Sequence, residues 1–194
     1  MPRAGLTPGG VIAEAAGLAD EVGLDALTLA ALAARFGVAV PSLYKHVDGL
    51  DGVRRGIAIT GLRELAAAMA QGTGYRGVAH AYRDWAREHP GRYTATLRAV
   101  PAGDPEYEAA AVGVLTIVNA VLARHGLVGA AAIDGARLLR ASLHGFVSLE
   151  AAGGFGMPRD IDTSFERLLD ALEAGLDALA ADAAADAAAD AAAG

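Results

Sequence analysis

The chain has 194 residues, 54% hydrophobic but only 5% aromatic, with no cysteine and a formal net charge of −7 at pH 7. That length fits one ordinary domain or a small module joined to a larger one, and the alanine excess favours helices over sheets. Without cysteine neither a disulfide framework nor a thiolate zinc cluster can form, which excludes a secreted, disulfide-stapled fold.

Residues 1–10 lack a basic region followed by an apolar stretch, and no later segment keeps 18 apolar residues free of charge and glycine. A soluble, cytoplasmic protein with no membrane partner is expected. Charge is distributed unevenly. Residues 1–63 balance six basic groups (Arg3, Arg35, Lys45, Arg54, Arg55, Arg63) against six acidic ones (Glu14, Asp20, Glu21, Asp25, Asp48, Asp51). The remainder carries the whole negative excess, so the first third is the part able to approach phosphate.

The spacing predicts an amphipathic helix over 11–22, with Val11, Ile12, Ala15, Leu18, Ala19 and Val22 on one face and Gly23 closing it. Thr28 is an N-cap for a short second helix over 29–36, ended by Gly37 in the left-handed region. Pro41 then suits a first helical position, and 42–47 is long enough for two turns. There Leu43 and Val47, four apart, point inward, leaving Ser42, Tyr44, Lys45 and His46 outward. Such a face is unusual for a structural helix and natural for groove contacts. A longer helix over 50–70 leads onward, followed by helices over 75–88, 91–98, 105–125, 128–152 and 161–180. Pro90, Pro101, Pro105, Gly126 and the 153–158 segment punctuate them. No run alternates with period two, so the fold is expected to be all-α. The final 182–194 stretch repeats Asp-Ala-Ala-Ala with like charges four apart and is expected to fray or be disordered.

Two short helices joined by a glycine-containing turn form a helix-turn-helix. The run Thr28-Leu-Ala-Ala-Leu-Ala-Ala-Arg-Phe-Gly-Val-Ala-Val-Pro-Ser-Leu-Tyr-Lys-His-Val47 closely resembles the DNA-binding domain of the tetracycline-repressor (TetR) family over residues 8–60. The resemblance implies a homodimer whose recognition helices, each about 40–47, enter the major grooves of a double-stranded palindromic operator. It implies that Val40 and Pro41 open that helix at the interface and that Thr28 contacts phosphate. Ser42 and Lys45 would lie near base edges, and Tyr44 and His46 would hold the backbone or a thymine methyl. Hydroxyl and N-terminal N–H groups bind phosphate, and lysine can donate to guanine, in agreement with these roles. One departure stands out: where the family commonly starts its next helix with a phosphate-gripping lysine, this chain has Leu50, flanked by Asp48, Gly49 and Asp51. Affinity would be modest unless Arg54, Arg55 or Arg3 compensates.

A second passage, Leu138-Leu-Arg-Ala-Ser-Leu-His-Gly-Phe-Val-Ser-Leu-Glu150, looks like the regulator C-terminal domain named for a Trp-His-Gly signature, with Arg140 read at the tryptophan's position. It implies a helical ligand-binding and dimerisation domain. The expected organisation is a reader over 1–60, an effector and dimer domain over 61–180, and the tail over 181–194.

His144 reads either as a core histidine or as a pocket residue, with Gly145 and Phe146 beside it. Tyr82, Trp85 and His89, at three- and four-residue steps, share a helix face that can line a cavity or pack as plain core. His80, Asp84 and Glu88 could gather a metal, but a solvated polar face explains them as well; no metal and no cofactor is expected. G-x-S-x-G, H-E-x-x-H and P-loop patterns do not occur, so no catalytic residues are assigned and the chain is read as no enzyme. The leading expectation is a ligand-responsive transcriptional regulator, a repressor released by a small-molecule effector. The alternative is an all-helical small-molecule-binding protein whose DNA reader is weakened, as the acidic 48–51 segment suggests.

Overall fold

The computed structural model of the chain describes residues 6–98 and 103–193; Arg3 and Pro101 lie outside them. Among the described residues, eight α-helices run in the order α1 (Pro8–Val22), α2 (Leu29–Phe36), α3 (Gly49–Gln71), α4 (Gly74–Glu88), α5 (Pro90–Thr96), α6 (Pro105–Arg124), α7 (Gly129–Ala151) and α8 (Ile161–Ala193). A 3₁₀ helix, Val40–Lys45, stands between α2 and α3, and the described residues contain no strand. Contacts cluster into two compact units, Met1–Ala66 with Trp85–Gly113, and Ala67–Asp84 with Val114–Gly194.

In the first unit, α1 begins three residues before the apolar periodicity does. Thr7 Oγ1 accepts from Gly10 N at 3.1 Å and Pro8 occupies the first turn, where its missing N–H costs nothing. Thr28 caps α2 in the same way, its Oγ1 accepting from Ala31 N at 3.1 Å, and Gly37 ends the helix at φ 64°. Val11, Ala15 and Leu18 of α1, Leu32 of α2, Leu43 of the 3₁₀ helix, and Val53 and Ile57 of α3 form one buried core. Each large member contributes roughly 1.5–3 kcal/mol by leaving water. Arg35 fastens α2 to α1 from outside, Nε to Glu14 at 2.8 Å and both terminal nitrogens to Glu21 at 2.7 and 2.8 Å. The short α5 lies directly against α1. A Cβ on Gly91 would stand 2.1 Å from the Ala19 carbonyl oxygen, so only glycine permits that approach. Arg92 N donates to Asp20 Oδ1 at 2.9 Å alongside. The first part of α6 adds Tyr107 to this core.

In the second unit, Tyr75 and Ala79 of α4, Val121 and Leu122 of α6, Leu139 and Leu143 of α7, and Phe165, Leu169 and Leu176 of α8 pack together. The hydroxyl of Tyr75 donates to the Leu169 carbonyl at 3.3 Å, and burial pushes its pKa up. By length and composition alone α6 could cross a membrane, yet Val121 and Leu122 on it are core residues. The C-terminal repeat departs from expectation: α8 continues through it to Ala193 instead of ending near residue 180. Alanine's helix propensity, extended from a helix already nucleated by packing, outweighs the weak repulsion of exposed aspartates four residues apart.

Candidate nucleic-acid interface and effector domain

The recognition element is a 3₁₀ helix, where the sequence reading placed two turns of α-helix. Ser42 N donates to Ala39 O at 2.9 Å and His46 N to Leu43 O at 2.8 Å, both i to i−3. The segment is six residues long, has no side-chain cap, and loses an N–H at Pro41, so a longer i to i−4 ladder never develops. Three residues per turn sort the side chains into columns. Val40, Leu43 and His46 share the inward column, with Leu43 0% exposed and its neighbours half-buried. Pro41 with Tyr44 and Ser42 with Lys45 form the two outward columns, and Tyr44 is 59% exposed. Of the four residues expected from sequence to face outward, Tyr44 and Lys45 are exposed, whereas Ser42 and His46 are half-buried. Thr28, exposed at the start of α2, uses its oxygen as a cap and keeps its hydroxyl proton for an acceptor outside.

The cations of this unit are mostly engaged. Arg55 grips Asp104 through Nε and a terminal nitrogen, the latter at 2.7 Å, and reaches Glu106 at 3.2 Å, which Arg63 also contacts at 3.2 Å. The hydrogen-bonded Arg55 guanidinium holds the Asp104 carboxyl down at about 2. Arg55 is thus unsuited to the compensating role suggested for it, because its donors already serve two carboxylates. Arg54 is bound only loosely, 3.7 Å from Asp51.

Of the residues named for an effector, Trp85 and His89 belong to the first unit and Tyr82, His144 and Phe146 to the second. The Trp85 ring is buried and tilted against that of His89 at 5.3 Å, and His89 Nδ1 lies 3.5 Å from Asp20. His144 Nδ1 pairs with Ser148 Oγ at 3.2 Å, one turn along α7. The Phe146 ring packs at a tilt against those of Phe155 at 4.8 Å and Phe165 at 5.0 Å. Counting back from His144, the residue directly before His-Gly is Leu143, a core residue, whereas Arg140 faces solvent. His80 bonds Glu166 at 2.8 Å.

One residue of this neighbourhood escaped the sequence reading. Arg83 is 3% exposed, with Nε and a terminal nitrogen on Glu150 at 2.8 and 2.6 Å and a further bond to Asp162 at 2.8 Å. Its Cζ lies 4.6 Å from the centroid of Phe165. A signal was available: Arg83 follows Tyr75 and Ala79 on the apolar stripe of α4, and an arginine there demands a buried carboxylate.

Two family profiles match the chain: "Bacterial regulatory proteins, tetR family" over residues 11–47, and "Tetracyclin repressor-like, C-terminal domain" over residues 75–172. An uncharacterized HTH-type transcriptional regulator of Mycobacterium tuberculosis, Rv0681, is 41% identical over 169 residues, covering 81% of this chain and 76% of that protein. The regulator YobS of Bacillus subtilis, described in the same words, is 36% identical over 183 residues, 90% of this chain and 95% of its own. Among solved structures, apo ActR from Streptomyces coelicolor superposes with a TM-score of 0.69 at 21% identity, covering 94% of this chain and 99% of that one. At that identity the likeness concerns the fold. A helix-turn-helix with an outward polar and aromatic face, a helical second unit matched over most of its length, and close relatives that are transcriptional regulators together place this chain in the TetR family of DNA-binding transcriptional regulators.

Proposed function

We propose that the protein is a ligand-responsive repressor that binds a palindromic operator as a homodimer in the cytoplasm and releases it when a small molecule enters the C-terminal region. The observation that carries the reading is the outward pair of columns on the 3₁₀ helix. Lys45 there is exposed and has no ion-pair partner among the described residues, while buried Leu43 fixes the helix beneath it. In this reading Thr28 and the opening residues Val40 and Pro41 meet the backbone, Ser42 and Lys45 face base edges, Tyr44 reaches a backbone or thymine methyl, and His46 stays at the margin. The reader comprises residues 1–60 and the effector and dimer domain residues 61–180.

Exposed Ile133 and Leu149 on α7, with open space beside Gly145, support pairing of α7 and α8 across a two-fold axis. Tyr82, Trp85, His89, His144 and Phe146 are the residues read as suiting an apolar or aromatic effector with one or two hydrogen-bonding groups. ActR has been solved with actinorhodin, an instance of this fold accommodating a small molecule. Coupling requires that the effector bind better to a conformation whose recognition helices no longer match the half-site spacing.

Fluorescence anisotropy with DNA upstream of the protein's own gene tests the assignment. Lys45→Ala is expected to weaken binding by roughly 1–3 kcal/mol with an unchanged circular dichroism spectrum. Equal affinity would refute it. The exposed carboxylates Asp48 and Asp51 favour one second reading, a small-molecule-binding protein with a weakened reader. That reading predicts no sequence preference at all.

A further inference from the structure

The reader's cations can be sorted by what they already hold. Arg35 forks onto Glu14 and Glu21, Arg55 onto Asp104 and Glu106, and Arg63 onto Glu106. Each would have to give up a good carboxylate partner to bind phosphate. Among the described cations of residues 6–63, that leaves Lys45 on the recognition helix and Arg54 on α3. Arg54 is held only by a 3.7 Å approach of a terminal nitrogen to Asp51, a residue whose side chain is 99% exposed, and its buried Nε has no hydrogen-bond partner. An arginine in this state is under-satisfied in the free protein, because a buried donor without a partner forfeits its hydration.

The direction of the side chain matters as much as its freedom. Asp51 lies three residues before Arg54, so the guanidinium runs back toward the start of α3, as helical side chains do. It spans about one turn, roughly 5 Å of rise. The start of α3 follows the recognition helix after only residues 46–48, so the guanidinium is directed toward the end of α3 that adjoins, in sequence, the element read as entering the groove. We propose that Arg54 is a phosphate anchor of the DNA complex, exchanging its weak contact with Asp51 for a DNA phosphate on docking, with Asp51 as the local competitor that keeps binding weak. The proposal rests on the DNA-reader assignment above and adds to it the residue that grips the backbone.

Phosphate contacts are read most cleanly on DNA that offers no sequence preference. The full-length protein is titrated into a fluorescein-labelled 30-base-pair mixed-sequence duplex, and anisotropy is followed across a series of NaCl concentrations. Arg54→Gln is expected to lower affinity roughly tenfold at 0.1 M salt and to flatten the log–log salt slope by about 0.9, the loss of one phosphate contact. Arg55→Gln should leave the slope unchanged. Asp51→Asn should raise affinity, and by more in the wild-type background than alongside Arg54→Gln, because only in the former does it release a cation. Circular dichroism of each variant checks folding, with Arg54→Lys retaining the slope as the conservative control. An Arg54→Gln slope equal to wild type, or a loss that follows Arg55→Gln instead, overturns the proposal while leaving the reader intact. No binding by the wild-type protein in low salt overturns both.

Discussion

Arg83→Ala is the substitution whose cost the structure defines best. It removes three charge-assisted hydrogen bonds, at 2.8 and 2.6 Å to Glu150 and 2.8 Å to Asp162. The two carboxylates fare differently afterwards. Asp162 has a side chain 76% exposed and returns to water at little cost, whereas Glu150, at 11%, loses two charge-assisted hydrogen bonds in a site with little access to water. Removing one partner of a buried pair costs roughly 3–5 kcal/mol, and the lost contact over Phe165 adds to it. For a chain of this size about 3 kcal/mol lowers the melting temperature by roughly 6–12 °C. Urea unfolding followed by circular dichroism, at one protein concentration throughout, should show the midpoint falling with the slope preserved. Arg83→Met combined with Glu150→Leu should recover most of the loss, because a buried ion pair exchanged for apolar side chains is often neutral. A cost below about 1 kcal/mol for Arg83→Ala, the range of an exposed pair, would refute the reasoning.

Three further outcomes follow from local geometry. Asp104, held at about 2 by the Arg55 guanidinium, contributes stability that is complete above its ordinary range and is lost as pH falls from about 4 through about 2; Arg55→Gln should return its NMR titration midpoint toward 3.8. Gly91→Ala forces a Cβ against the Ala19 carbonyl and should destabilise the protein by roughly 1–3 kcal/mol in thermal unfolding, since backbone cannot give way as a flexible side chain does. Deleting residues 182–194 should remove helical ellipticity in proportion to length while changing the melting temperature little, because the described side chains of that stretch are almost all exposed and join neither core.

What the sequence made legible tracks how local the determinant is. Thr28 and Gly37 bound α2 where expected because a side-chain cap and a left-handed glycine act within four residues. The 3₁₀ geometry was hidden, since Leu43 and Val47 fit an α-helical face as well as Val40, Leu43 and His46 fit a three-residue column. The helical tail is illegible for a related reason: it continues α8, whose anchors Phe165, Leu169 and Leu176 lie up to 28 residues away.

Charge shows the deepest gap between composition and structure. A count over residues 1–63 finds six basic and six acidic groups and so treats each cation as equally available to DNA. Availability depends on partners that the count either blurs or omits. Glu14 and Glu21 neutralise Arg35 from within the same segment, whereas Asp104 and Glu106, which hold Arg55 and Arg63, come from four dozen or so residues downstream. Those pairs fasten helices to one another, and what they secure they withhold from phosphate. A reader that spends its arginines on its own scaffold must bind DNA through few cations, so its affinity depends steeply on each one left free, and its discrimination rests on the shape and hydrogen bonding of a short helix more than on bulk attraction.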